Sequence, residues 1–73
     1  MSQETVTAPI PGKIIKVRAS KGAKISEGDT ICEIESMKME NPISAPVSGV
    51  VSEISVTPGQ VVKKGQNLAV IKY

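Results

Sequence analysis

The chain repeats itself once, and that repeat restricts its possible folds more than any other feature. Shifted by 37 residues, the stretch "APIPGKIIKVRASKGAKISEGDTICEIE" falls on "APVSGVVSEISVTPGQVVKKGQNLAVIK" without a gap. Ala8, Pro9, Gly12, Gly22 and Gly28 meet Ala45, Pro46, Gly49, Gly59 and Gly65. The apolar positions keep register as well: Ile10 meets Val47, Ile14 meets Val51, Val17 meets Ile54, Ile25 meets Val62, Ile31 meets Leu68 and Ile34 meets Ile71. Whatever one half folds into, the other half must fold into too.

Valine and isoleucine occur nine times each, against one leucine and no phenylalanine or tryptophan. Branching at the β-carbon suits the pleated strand, and six glycines and five prolines cut the chain into short pieces. An all-β fold follows. The first half predicts strands near 4–8, 12–18, 24–26 and 30–36; the second predicts them near 39–45, 49–56, 61–63 and 67–73. Pro58-Gly59 has the chemistry of a type II turn, with its counterpart Lys21-Gly22 keeping the glycine, and Gly28 and Gly65 serve the next turn. A half with one apolar face cannot bury it alone. Two copies stacked face to face can, as a small sandwich or flattened barrel with pseudo-twofold symmetry.

Seventy-three residues make one domain. The lone cysteine, Cys32, excludes an internal disulfide; it aligns with Ala69 and reads as a small buried residue. There is no histidine, and no cluster with the spacing of metal ligands. The net charge of +2 is spread over scattered lysines, and the one aromatic is Tyr73. A nucleic-acid surface would need a dense basic patch and stacking rings, so no such partner is expected. No apolar run reaches the length of a membrane span, and the first residues lack a signal-peptide pattern. The expectation is a cytoplasmic protein with no membrane insertion.

One stretch resists the simple strand reading. In "ESMKME", Glu35 to Glu40, a lysine stands between two methionines. Ile31, Ile34 and Met37 are three apart, which locally suits a helix over 30–40. Its copy, "NLAVIKY", has no helical character, so the first copy is a strand too. "MENPISAP" then begins the second half as another strand, and Met37-Lys38 falls in a tight hairpin between them. Two-residue hairpin turns place residues at φ > 0 and prefer Asn-Gly, so Met-Lys is a poor choice on propensity alone. Where local preference loses to the overall fold, a functional constraint is expected. Lys38 is on display.

These residues resemble a known family. "ESMKME" looks like the attachment motif of biotinyl domains, the biotin carboxyl carriers of biotin-dependent carboxylases, decarboxylases and transcarboxylases. The resemblance covers the chain from Glu4, so residues 4–73 would form the domain and 1–3 a flexible N-terminal tail. It implies a flattened barrel of two four-stranded sheets, with Lys38 at a hairpin tip carrying covalent biotin installed by a biotin protein ligase. The ligase would join Lys38 to biotin by an amide bond. The biotin would then shuttle a carboxyl group between the active sites of a biotin carboxylase and a carboxyltransferase or decarboxylase. Ser36 stands where many such domains have alanine, and the gap-free repeat leaves no room for a protruding thumb.

The resemblance also sets the roles of the flanking residues. Met37 and Met39 either pack on the barrel end or offer soft contacts to successive enzyme partners. Glu35 and Glu40 read most simply as solvated strand residues, with a ligase contact as the alternative. A lipoyl carrier would share the fold, but lipoyl domains usually flank the lysine with Asp and Ala. Attachment of either group to one lysine stays open. Nothing in the sequence supports catalysis by the domain itself: no nucleophile has a base nearby, and no glycine-rich loop could cradle phosphate.

Overall fold

The computed structural model describes residues 2–73, and it contains strands and turns but no helix among them. Eight strands run β1 (Gln3–Thr7), β2 (Gly12–Val17), β3 (Lys24–Ile25), β4 (Thr30–Ser36), β5 (Met39–Ser44), β6 (Gly49–Ile54), β7 (Val61–Val62) and β8 (Asn67–Lys72). Each lies within a residue or two of its expected place. The helix that the spacing of Ile31, Ile34 and Met37 would have allowed is a strand. β1 starts at Gln3, and Ser2 exchanges two backbone hydrogen bonds with Tyr73, at 3.0 and 2.9 Å. Ser2 and Gln3, expected in a tail, are thus held by backbone pairing with Tyr73 and β8; Met1, the rest of that expected tail, lies outside the described residues.

The strands form two four-stranded antiparallel sheets, ordered β1-β8-β6-β3 and β5-β4-β2-β7. Advancing each strand of one sheet by half the chain reproduces the other, which is the twofold relation the repeat demands. One expectation is corrected. The halves do not each make a sheet and then stack, since every sheet takes two strands from each half. β1 pairs with β8, β3 with β6, and β2 with β7. A period-two apolar pattern identifies the buried face but is the same whichever neighbour completes the ladder.

The turns reinforce this exchange. Gly22, Gly28, Gly59 and Gly65 all have positive φ, between 88° and 93°. Each closes a four-residue turn, as in the bond from the Gln60 N–H to the Thr57 oxygen at 3.1 Å. Gly59 then donates its own N–H to the Ile14 oxygen at 2.6 Å, and its counterpart Gly22 donates to Val51 at 2.7 Å. A turn in one half is thus fastened to a strand of the other.

The core is as symmetric as the ladder. Its buried residues form matched pairs: Val6 with Ile43, Ala8 with Ala45, Ile14 with Val51, Ile25 with Val62, Ile31 with Leu68, Cys32 with Ala69, and Ile34 with Ile71. Val56 is the remaining member, and its counterpart Ala19 packs against the cluster. Even the irregularities repeat. The registers slip at Ile31 in β4 and at Leu68 in β8, which lets consecutive residues, Ile31-Cys32 and Leu68-Ala69, both point inward.

Gly12 and Gly49 open β2 and β6 where two backbones approach closely. A Cβ on Gly12 would overlap the Glu35 carbonyl oxygen, and one on Gly49 the Lys72 carbonyl oxygen. Gly12→Ala should therefore lower the unfolding free energy by about 1–3 kcal/mol, as overpacking does. Urea titration checks this, with a shifted midpoint and an unchanged slope expected. An unshifted midpoint would show that the strands do not meet there so tightly.

Candidate functional site

Since β4 and β5 belong to different halves, the hairpin that joins them is also where the two repeats are fused. Ser36 and Met39 are register partners, leaving only Met37 and Lys38 to reverse the chain. Both have positive φ, 53° and 64°, and they are the only described non-glycine residues that do. That is the geometry of a type I′ turn, which a two-residue link between twisted antiparallel strands favours. For L-residues with side chains this conformation costs about 1–2 kcal/mol each. The fold imposes it against local preference, as the motif suggested.

The turn stands at one end of an elongated body of 37 × 18 × 17 Å. From Met39, β5 runs away from the turn, and the chain crosses at Ala45 into the other sheet to begin β6 at Gly49. Val50 pairs with Lys72, next to the Ser2–Tyr73 bonds. Ser2 and Tyr73 therefore sit at the far end of the barrel from Lys38. By the twofold, the Ser2–Tyr73 pair occupies the place that Met39–Ser36 holds at the turn. One end of the barrel carries the turn, and the other carries the Ser2–Tyr73 bonds.

Lys38 is exposed, as are Glu35 and Glu40, while Ser36 is half-buried. Met37 is 92% and Met39 65% exposed, so neither fills the barrel end and the packing reading of these two residues is set aside. Glu40, Glu35, Lys13 and Val61 form one cross-strand row beneath the turn. Two carboxylates directly opposite each other repel, and Lys13 beside Glu35 offsets that. Two rows further from the turn, Arg18 Nε donates to Glu33 Oε2 at 2.7 Å and holds the Glu33 carboxyl below the usual carboxylate range. Pro42, on the edge strand β5, removes a ladder donor and so blunts strand addition beside the turn.

One contact at the turn was not anticipated from sequence. Asn41 Nδ2 donates to the Ile34 and Met39 carbonyl oxygens, at 3.2 Å each. Its counterpart in the repeat is Glu4, so the only hint available was a break in the match between halves.

The larger cavity, about 320 Å³ and lined in part by Arg18, Ser20, Lys24 and Asp29, shares no residue with the turn. An exposed primary amine on a rigid tip, with a four-carbon stem, fits a prosthetic group held by one amide bond and free to swing. No cluster of three metal-ligating side chains occurs among the described residues.

Cys32 is buried beside the core residue Ile31, and burial pushes its thiol above the ordinary value, with the Glu33 charge adding to the effect. Its thiolate is therefore scarce. Iodoacetamide at neutral pH should leave Cys32 unmodified in the folded chain and alkylate it once urea unfolds the protein. Rapid alkylation of the folded chain, read by intact mass, would contradict that burial.

Known proteins similar to this chain point one way. The family described as biotin-requiring enzyme matches residues 4–71. Over 68 residues the chain is 44% identical to a biotinylated protein TB7.3 homolog of Mycobacterium leprae, covering 93% of this chain and 96% of that protein. It is 46% identical over 67 residues to a biotin carboxyl carrier protein of Streptococcus mutans, covering 92% of this chain and 52% of that one. Among solved structures, the urea carboxylase of Kluyveromyces lactis matches with a TM-score of 0.91 and 32% identity, over 99% of this chain and 6% of the carboxylase. Other relatives are far longer, the chain spanning 12% of one and 4% of another.

Proposed function

This chain belongs to the family of biotin-requiring enzymes, and we propose that it serves there as a biotin carboxyl carrier with Lys38 as its attachment residue. The observation that carries the reading is the pair of positive φ angles at Met37 and Lys38, which put one amine on a rigid turn at the barrel's end. Eight other basic residues dot the chain, and none of the described ones shares that setting.

Attachment requires Lys38 Nζ, free of its proton, to attack the acyl carbon of an activated biotin. The amide bond forms, the activating group leaves with the bonding electrons, and the nitrogen sheds its second proton. Lys38 thereby loses its charge, taking the formal net charge from +2 to +1. Once attached, biotin supplies the ureido nitrogen on which a carboxyl group is carried.

The chain's own residues do the rest without catalysis. Lys38 supplies reach, and the sheets beneath the turn supply a fixed base. Met37 and Met39 supply soft apolar contact for more than one partner in turn. The partners are a biotin protein ligase, which installs the group, and a biotin carboxylase with a carboxyltransferase or decarboxylase, which load and unload it. Similarity to a carboxyl carrier protein and to a carboxylase supports the carboxylase-type partners of this set. The biotin reading stands over the lipoyl one because the relatives above are named for biotin and methionines flank the lysine.

With a biotin protein ligase, ATP and biotin, intact mass should rise by one biotinyl group. A lipoate ligase with lipoate should add nothing. Lys38→Arg should abolish labelling while changing stability by no more than about 0.5 kcal/mol, as exposed substitutions do. Continued labelling of the arginine variant would place the attachment on another lysine.

A further inference from the structure

The twofold is nearly complete in core, bulges and turns, so a polar position where it breaks invites a reason. Asn41 and Glu4 are equivalent residues: Asn41 pairs with Ile34 in β4, and Glu4 pairs with Ile71 in β8. Each lies two residues before a buried aliphatic, Ile43 or Val6, and both are half-buried at the two ends of the barrel. What differs is the work available. At the Asn41 end a two-residue turn must be held at positive φ; at the Glu4 end Ser2 and Tyr73 are paired, and neither has positive φ.

The chemistry of the two side chains matches that difference. A carboxamide carries two N–H donors on a short stem, whereas an ionised carboxylate only accepts. Asn41 spends its Nδ2 donors on the carbonyl of Met39, the residue that leaves the turn, and on that of Ile34 across the ladder. One amide therefore ties the strand leaving the turn to the strand arriving at it, just below the Ser36–Met39 pair. Glutamate at this position could not make either bond. A strained conformation persists only where its surroundings over-determine it, and this clip is the side-chain contribution to that.

We propose that Asn41 is a positioning residue for Lys38: its amide clips the Ile34 and Met39 carbonyls, holds Met37 and Lys38 at positive φ, and so presents the lysine to the ligase in one orientation. The second part of this inference rests on the reading of Lys38 as the biotin attachment site; the first part does not. The Asn41 amide donates to two backbone carbonyls and makes no hydrogen bond to the lysine amine, so it acts through the backbone.

The test is a double-mutant cycle with two readouts. Asn41→Ala should move the backbone shifts and HN–Hα couplings of Met37 and Lys38 away from their positive-φ values, with core resonances unchanged. Its ligase kcat/KM should fall about tenfold, the weight of one or two net hydrogen bonds. Met37→Gly supplies a residue that takes positive φ freely. In that background the same Asn41→Ala change should cost less than about twofold, since coupled sites are non-additive. If the alanine variant fails to fold, Asn41→Asp keeps the shape, loses both donors, and should show the same pattern. Unchanged couplings at Met37 and Lys38 would overturn the proposal, and so would equal losses in both backgrounds, which would mean direct ligase contact or general destabilisation. A wild-type chain that no ligase labels would instead sink the biotin reading, while the couplings still decide the role of Asn41.

Discussion

The reciprocal pairing of strands between the two halves is the constraint on which the rest of this molecule depends. β1 closes on β8 and β3 on β6, so neither half has a complete sheet of its own. A chain of 73 residues has little core to spare. It makes that core count by aligning seven fully buried aliphatics, Ile14, Ile31, Ile34, Val51, Val62, Leu68 and Ile71, between two sheets that each draw two strands from either half. Each such side chain is worth about 1.5–3 kcal/mol relative to full exposure. The glycine turns then bond each half to the other's strands, so loosening one half loosens both.

The display of Lys38 follows from that same exchange. Two equivalent strand ends meet at each end of the barrel, and the twofold makes the two meetings alike. At one end they are the chain's first and last described residues, Ser2 and Tyr73; at the other they must be joined, and two residues are all the link there is. The tightest connection in the molecule is therefore also an exposed one, and it carries backbone strain at Met37 and Lys38. A carrier needs a group that reaches several partners from a base that does not move. A strained tip on a fully paired ladder provides both.

Much of this was legible in the sequence, and the reasons are specific. The offset between Ile34 and Ile71 revealed the repeat, and the repeat overruled the local helical spacing of Ile31, Ile34 and Met37. Gly22 and Gly59 marked turns because only glycine accepts that backbone readily. The strand exchange was not legible, since alternation in "GKIIKV" or "GVVSEI" says which residues face inward but not which strand lies alongside. The slips at Ile31 and Leu68 were hidden for a related reason: consecutive apolar residues can mean a bulge or simply a buried strand. Asn41 was passed over because a polar residue in a strand beside proline reads as surface. Its meaning emerges only when its counterpart is seen to be Glu4 and its amide is seen on two carbonyls.

If position on the folded turn specifies the lysine, moving the amine by one residue should be enough to defeat attachment. The exchange Met37→Lys with Lys38→Met keeps composition and turn length and shifts only where the side chain points. The decisive measurement is the rate of biotin ligase labelling of this swapped chain against wild type, both shown to be folded by their unfolding midpoints. The account predicts a folded swap that labels poorly or not at all. Equal, efficient labelling of the two folded chains would contradict it.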